Sequence, residues 1–186
     1  GLEDKTRDNA LFLSVCAQFN GTVSKKLIEF FRSINMISGV TDQHYKDITS
    51  EVLTNTASKD LILNALNQVD LSIKDIVKAK YTEAVIPADL SDEEKKKYLD
   101  MTVWCFERQK LNDRGEECGR FSMPLEGGES EGTRKYFYLL GPLYYTFKEG
   151  AILIVDELDA RLHPKLTLNI IRMFHDSEIN VKGAQL

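Results

Sequence analysis

The 186 residues suffice for one ordinary domain, or for a core that carries a substantial insert. With 42% hydrophobic and 28% charged residues the chain has the make-up of a soluble globular protein, which excludes a disordered or fibrous polymer. Lys plus Arg number 24 against 29 Asp plus Glu, a net charge of −5, which gives no electrostatic argument for nucleic acid and leaves such a partner open. No apolar stretch approaches the roughly 18 residues of a membrane span and no signal peptide is visible, so a cytoplasmic protein without a membrane partner is expected. Cys16, Cys105 and Cys118 form no Cys-x-x-Cys pair and read as reduced thiols. The chain opens at Gly1-Leu2-Glu3 and stops at Ala184-Gln185-Leu186, where an apolar run begins, as expected of a segment of a longer protein.

Asn9 to Phe19 mixes apolar and small residues and reads weakly as a helix. Thr22 to Ile37 reads as a helix with Thr22 as N-cap, because Val23, Leu27, Ile28, Phe31 and Ile34 recur at helical spacing before Gly39. Two further helices are predicted over Asp42 to Leu53 and Ser58 to Val69, with His44 as a surface or packing residue. Leu71 to Tyr81 reads as a strand, and Ser91 with Glu94 forms a capping box for a short lysine-rich helix ending near Leu99.

From Met101 the hydrophobic period changes to two. Thr102 to Arg108 and Gly119 to Met123 flank Asn112-Asp113-Arg114-Gly115, which predicts a β-hairpin. A helix to about Lys148 follows, with a stripe of Tyr136, Leu139, Leu140, Leu143, Tyr144 and Phe147 and a bend at Gly141-Pro142. Pro164 suits the first turn of a last helix, Lys165 to His175.

Between these helices lies Ala151 to Pro164, the stretch with the most chemistry. Ile152 to Val155 reads as a strand buried on both faces, ending in Asp156-Glu157. In an open parallel sheet ligands bind beyond the carboxyl ends of the strands, so these acids have the Walker B arrangement. Asp156 would hold Mg²⁺ and Glu157 would orient and deprotonate the water that attacks a γ-phosphate. Upstream, Ser130-x-Gly132-Thr133 sits where a loop becomes a helix, which reads either as an N-cap in a flexible loop or as an anion site built from free N–H groups, the helix dipole and two hydroxyls. Glu129 and Glu131 would repel phosphate there unless they point away.

Glu129-Ser130-x-Gly132-Thr133, a helix, a strand ending Asp156-Glu157, then Leu158-Asp159-x-x-Leu162-His163-Pro164 resembles the C-terminal half of an ABC-like ATPase head. The similarity is to prokaryotic AAA-family ATPases of the abortive-infection and overcoming-lysogenization-defect kind, with SMC-type heads more distant. It spans about Glu129 to Leu186 in order and is looser across Asn9 to Asp100. The resemblance implies an α/β fold, part of a P-loop NTPase with a helical insertion and the hairpin. Residues 1–20 would edge the ATPase core, 21–100 form the insertion, and 101–186 supply the signature, Walker B and D-loop. It implies that Ser130, Gly132 and Thr133 contact the γ-phosphate of ATP on the partner protomer and that Asp156 serves Mg²⁺. Glu157 would be the catalytic glutamate, and Asp159 and His163 the D-loop at a homodimer interface. For His163 a capping role competes.

No Gly-x-x-x-x-Gly-Lys-Ser/Thr loop occurs in these residues, since no glycine is followed by lysine. The other readings are a scaffold whose helices between Thr22 and Val69 dock an effector protein, and a Mg²⁺-dependent nuclease that would need further converging carboxylates. The chain by itself is expected neither to hydrolyse ATP nor to bind it tightly; titration calorimetry with Mg-ATP checks this, and micromolar affinity would contradict it.

Overall fold

The computed structural model describes residues 1–40, 43–70, 72–83 and 86–186; the expected start of one helix at Asp42 and of one strand at Leu71 lie outside the described residues. After a 3₁₀ turn at Glu3–Lys5, the order begins α1 (Phe12–Gln18), α2 (Thr22–Arg32), β1 (Ile34–Ser38), α3 (Gln43–Val52), α4 (Thr56–Asn67) and β2 (Ile73–Lys80). It continues with α5 (Asp92–Asp100), β3 (Thr102–Leu111), β4 (Glu117–Pro124), a short turn α6 (Leu125–Gly128), α7 (Glu131–Glu149), β5 (Ile152–Asp156) and α8 (Pro164–His175). The fold is mixed α/β. β1 and β5 pair in parallel, and β2, β3 and β4 form an antiparallel sheet in that order.

The stretch read as one helix from Thr22 to Ile37 divides in two. The helix stops at Arg32, its N-cap is Gly21 rather than Thr22, and Ile34–Ser38 runs as a strand in register with Ile152–Asp156. Ile34, Met36 and Ile37 suit a pleat as well as a helix, and pairing with β5 decides between them. On its other edge β5 meets the chain end, where Leu153 N donates to the Gln185 carbonyl and Gln185 N to that of Ala151. An isolated bridge between Ile152 and Gln185 thus covers the second edge of β5.

It is not, however, buried on both faces. Leu153 is 1% exposed and faces the core, whereas Ile154 is 45% exposed and lies opposite Met36, which is 76% exposed. The helices pack on one face alone.

That packing centres on α7. The predicted stripe is buried except for half-buried Tyr144, but Phe137, Tyr138, Gly141 and Pro142 are buried too, so the middle of α7 is enclosed all round. Each large side chain taken fully out of water contributes about 1.5–3 kcal/mol, and Tyr136, Phe137, Leu139 and Leu143 are all below 2% exposed or at that level. Phe137 meets Phe106 of β3 edge to face at 5.3 Å. The single proton of the Tyr136 hydroxyl has two acceptors in reach, the carbonyl oxygens of Ala65 (3.2 Å) on α4 and of the Asn169 amide on α8, and burial pushes its phenol pKa up.

Where a bend was expected, α7 runs on through Pro142 as one helix. Pro142 has no N–H to give the Tyr138 carbonyl one turn back; the buried Thr49 hydroxyl of α3 donates to it at 2.7 Å. Gly141 makes the approach possible. A Cβ there would lie 2.7 Å from Thr49 Cα and 2.8 Å from its backbone nitrogen. Helix propensity alone favours alanine over glycine by about 1 kcal/mol, but forcing α3 off the backbone of α7 costs about 1–3 kcal/mol. Gly141→Ala is expected to lower the urea midpoint; a raised midpoint would show that the two helices can separate without penalty.

By contrast, α1 and α2 bury no residue. Phe12, Phe19, Val23, Leu27, Phe30 and Phe31 are all more than 40% exposed. None of the described helices is long and apolar enough to cross a membrane.

Candidate functional site

The candidate site grows from the junction of β5, the turn after it and the N-terminus of α7. Asp156 ends β5 opposite Ser38, and both it and Glu157 are exposed at the carboxyl end of the parallel pair. The chain then turns sharply, with Glu157 and Arg161 in the left-handed region at φ 54° and 60°. Ala160 N donates to the Glu157 carbonyl and Leu162 N to that of Asp159, each at 3.0 Å. Two leucines pin the turn. Leu162 is 8% exposed and Leu158 packs against the core, so the alternating polar residues Glu157, Asp159, Arg161 and His163 are left on the outside.

Close approach of β1 shapes the same corner. Gly39 N donates to the Asp156 carbonyl at 2.6 Å, and a Cβ at position 39 would lie 2.8 Å from that oxygen and closer still to the Glu157 carbonyl. Sequence reading used Gly39 only as a helix stop. Its role is visible only once β1 is known to be a strand beside β5.

Ser130 is the N-cap of α7: its hydroxyl accepts from Thr133 N at 3.1 Å and lies 2.8 Å from Thr133 Oγ1. One hydrogen joins the two hydroxyls, and the other remains to be donated outward. The early N–H groups of the helix lack intrahelical acceptors, so the end is suited to an anion. The carboxylates that threatened this site are held elsewhere. Glu129 forms two bonds of 2.9 Å with Arg108 of β3, and Glu131 pairs with Arg161 at 3.0 Å. Glu126 lies between Lys46 (2.7 Å), Arg134 (2.5 Å) and the Tyr138 hydroxyl (3.1 Å).

The turn and the helix end form one block. Lys135, 3% exposed, donates to the Ala160 carbonyl, and a Cβ on Gly132 would lie 3.1 Å from the Arg161 carbonyl. Of the residues singled out from sequence, Gly132 thus packs directly on the segment that links Asp159 to His163. His163 caps α8, its Nδ1 accepting from Lys165 N at 3.2 Å, which is the competing role foreseen for it. The sequence reading missed Arg108, Lys135 and Arg161; an arginine in a strand and two cations near acids carry no local signal.

Magnesium suits this donor set as a partly hydrated ion. It keeps several waters and is commonly held by one or two carboxylates together with substrate phosphates, and Asp156 offers an exposed carboxylate of that kind. Among the described residues no group of three His, Cys, Asp or Glu side chains converges to hold a metal. The three cysteines are unpaired.

A mixed α/β fold with two acids at the carboxyl end of a parallel strand, and a glycine-bearing helix end against the following turn, has the form of an AAA or P-loop-like domain. The chain belongs to the family described as "AAA domain, putative AbiEii toxin, Type IV TA system", whose sequence model matches residues 26–186. That makes it a nucleotide-binding, ATPase-type domain. No curated protein and no solved structure matches the chain.

Acid should weaken the block. Burial raises the Glu126 pKa, but the bonds and charge of Lys46, then Arg134 and Tyr138, outweigh it and hold the carboxyl below its ordinary value. The unfolded chain therefore binds a proton first as pH falls, so this contribution is present above about pH 4–5 and is lost as pH drops through the depressed folded value. Melting curves between neutral pH and pH 3 are expected to fall less steeply for Glu126→Gln than for the parent chain; parallel curves would remove Glu126 from this role.

Proposed function

We propose that this chain supplies one half of a composite ATPase site, contributing the signature, the Walker B acids and the D-loop. The observation that carries the reading is the packing of the Ser130–Thr133 helix end onto the turn that follows Asp156-Glu157, through Gly132, Lys135 and Arg161. A rigid block of this kind keeps an anion site and a pair of acids in fixed relation. A Walker A loop supplied by residues outside this sequence completes the site.

In this mechanism Glu157 accepts a proton from water and aligns it with the γ-phosphate, general-base work that contributes on the order of 10²–10⁴-fold. Ser130, Thr133 and the first N–H groups of α7 donate to the γ-phosphate of ATP bound on the facing protomer, where preorganised donors meet developing charge. Asp156 would hold Mg²⁺, whose charge offsets that of the phosphate oxygens. Asp159 and His163 lie on the turn that would face the partner across a two-fold axis. ATP binding closes such a dimer and hydrolysis opens it. The family description speaks for a place in a prokaryotic defence-type system.

Exposed Val23, Leu27, Phe30 and Phe31 on α2 and Leu61 on α4 favour a second reading, a scaffold that docks an effector protein through the helices between Thr22 and Val69. The two separate on turnover. In the full protein carrying a phosphate-binding loop, Glu157→Gln is expected to reduce ATP hydrolysis at least about a hundredfold while ATP-dependent self-association persists in sedimentation; undiminished hydrolysis would remove Glu157 from the mechanism.

A further inference from the structure

Arg108 sits on the middle strand of the antiparallel sheet, far in sequence from the motifs, yet all three nitrogens of its guanidinium are engaged. Its Nε and Nη2 each donate to one Glu129 oxygen at 2.9 Å, and its Nη1 donates to Asp70 at 2.6 Å and to the Ser72 hydroxyl. The side chains are 15% exposed for Arg108 and 7% for Glu129. Burial works against the Asp70 charge, but bonds from Ser72 and Arg108 outweigh it and hold that carboxyl below its ordinary value. The clamp joins the end of α4, the start of β2, β3 and the residue just before the Ser130 cap.

Such a pair is a poor device for stability alone, because desolvating two charges cancels most of their attraction. It is a good device for placing a group, since the fork of arginine fits a carboxylate in one orientation. Placement matters here. Glu129 directly precedes a helix whose positive end and free N–H groups attract anions, its own carboxylate included. Held by Arg108, that carboxylate is drawn into the sheet.

We propose that Arg108 is a positioning residue for the anion site at Ser130 to Thr133: it withholds the Glu129 carboxylate from the helix end so that a phosphate can occupy it. The inference rests on the composite ATPase reading above. Without Arg108, Glu129 competes with the γ-phosphate as an internal ligand. The signature of opposed effects follows, because removing the carboxylate as well should relieve the defect.

The test measures ATP hydrolysis, Mg-ATP affinity of the isolated protomer and melting temperature for Arg108→Gln, Glu129→Gln, the double variant and Ser130→Arg in the full protein. Arg108→Gln is expected to lose on the order of ten- to a hundredfold in kcat with protomer affinity for Mg-ATP unchanged. The double variant should recover to within about threefold of the parent, a recovery that counts as coupling. A double variant no more active than Arg108→Gln overturns the proposal; so does a recovery of kcat that only tracks a recovery of melting temperature, since removing an unpaired buried carboxylate would relieve a purely structural clamp in the same way. If Ser130→Arg abolishes hydrolysis while Arg108→Gln does not alter it, the proposal fails and the ATPase reading stands. If Ser130→Arg leaves hydrolysis intact, the signature assignment itself falls. Should Arg108→Gln fold poorly because a carboxylate is left buried and unpaired, the double variant compared with Glu129→Gln still decides.

Discussion

The structure depends on one close contact between helices. At Gly141 the backbone of α7 touches α3, and the Thr49 hydroxyl supplies the Tyr138 carbonyl with the hydrogen bond that Pro142 cannot give. Because α3 can come this near, α7 is enclosed on every side at its centre, and its buried face serves β3, α4 and α8 at once. A helix fixed so firmly in the middle has a fixed end. That end carries Ser130, Gly132 and Thr133.

The turn after β5 inherits its position from the same helix. Leu158 and Leu162 anchor it inward, while Gly132 leaves room for the Arg161 carbonyl and Lys135 reaches that of Ala160. Two residues in the left-handed region, Glu157 and Arg161, cost of order 1–3 kcal/mol each by usual measures and persist only where the surroundings over-determine them. Both lie in the segment that begins with the acid pair, where backbone geometry sets the direction in which side chains leave the sheet. The requirement at Gly39 belongs to the same corner, for the strand end beside Asp156 must pass against its carbonyl.

Charge is arranged by the same logic. Glu126, Glu129 and Glu131 crowd the entrance of α7, and each is answered by a cation: Glu126 by Lys46 of α3 and Arg134 of α7 itself, Glu129 by Arg108 and Glu131 by Arg161. The exposed Glu131–Arg161 pair contributes little to stability. The half-buried pairs do more by deciding where the carboxylates point, which leaves an anion-receptive helix end in a chain whose net charge is −5.

By itself the sequence determined what depends on local order and spacing: the capping box at Ser91, the period-two stretches that became β3 and β4, the strand carrying Asp156-Glu157, the Ser130 cap and the proline that opens α8. These signals lie within a few residues of one another, so they survive reading in one dimension. Tertiary structure alone decided the rest. Ile34 to Ser38 fits a helix or a strand, and only the hydrogen bonds of β5 choose; the faces of β5 and α7 that are buried follow from what packs there, not from their hydropathy. Gly39, Arg108, Lys135 and Arg161 acquire their roles from partners distant in sequence, because a close approach or an ion pair is a property of two places in the chain and neither place states it alone.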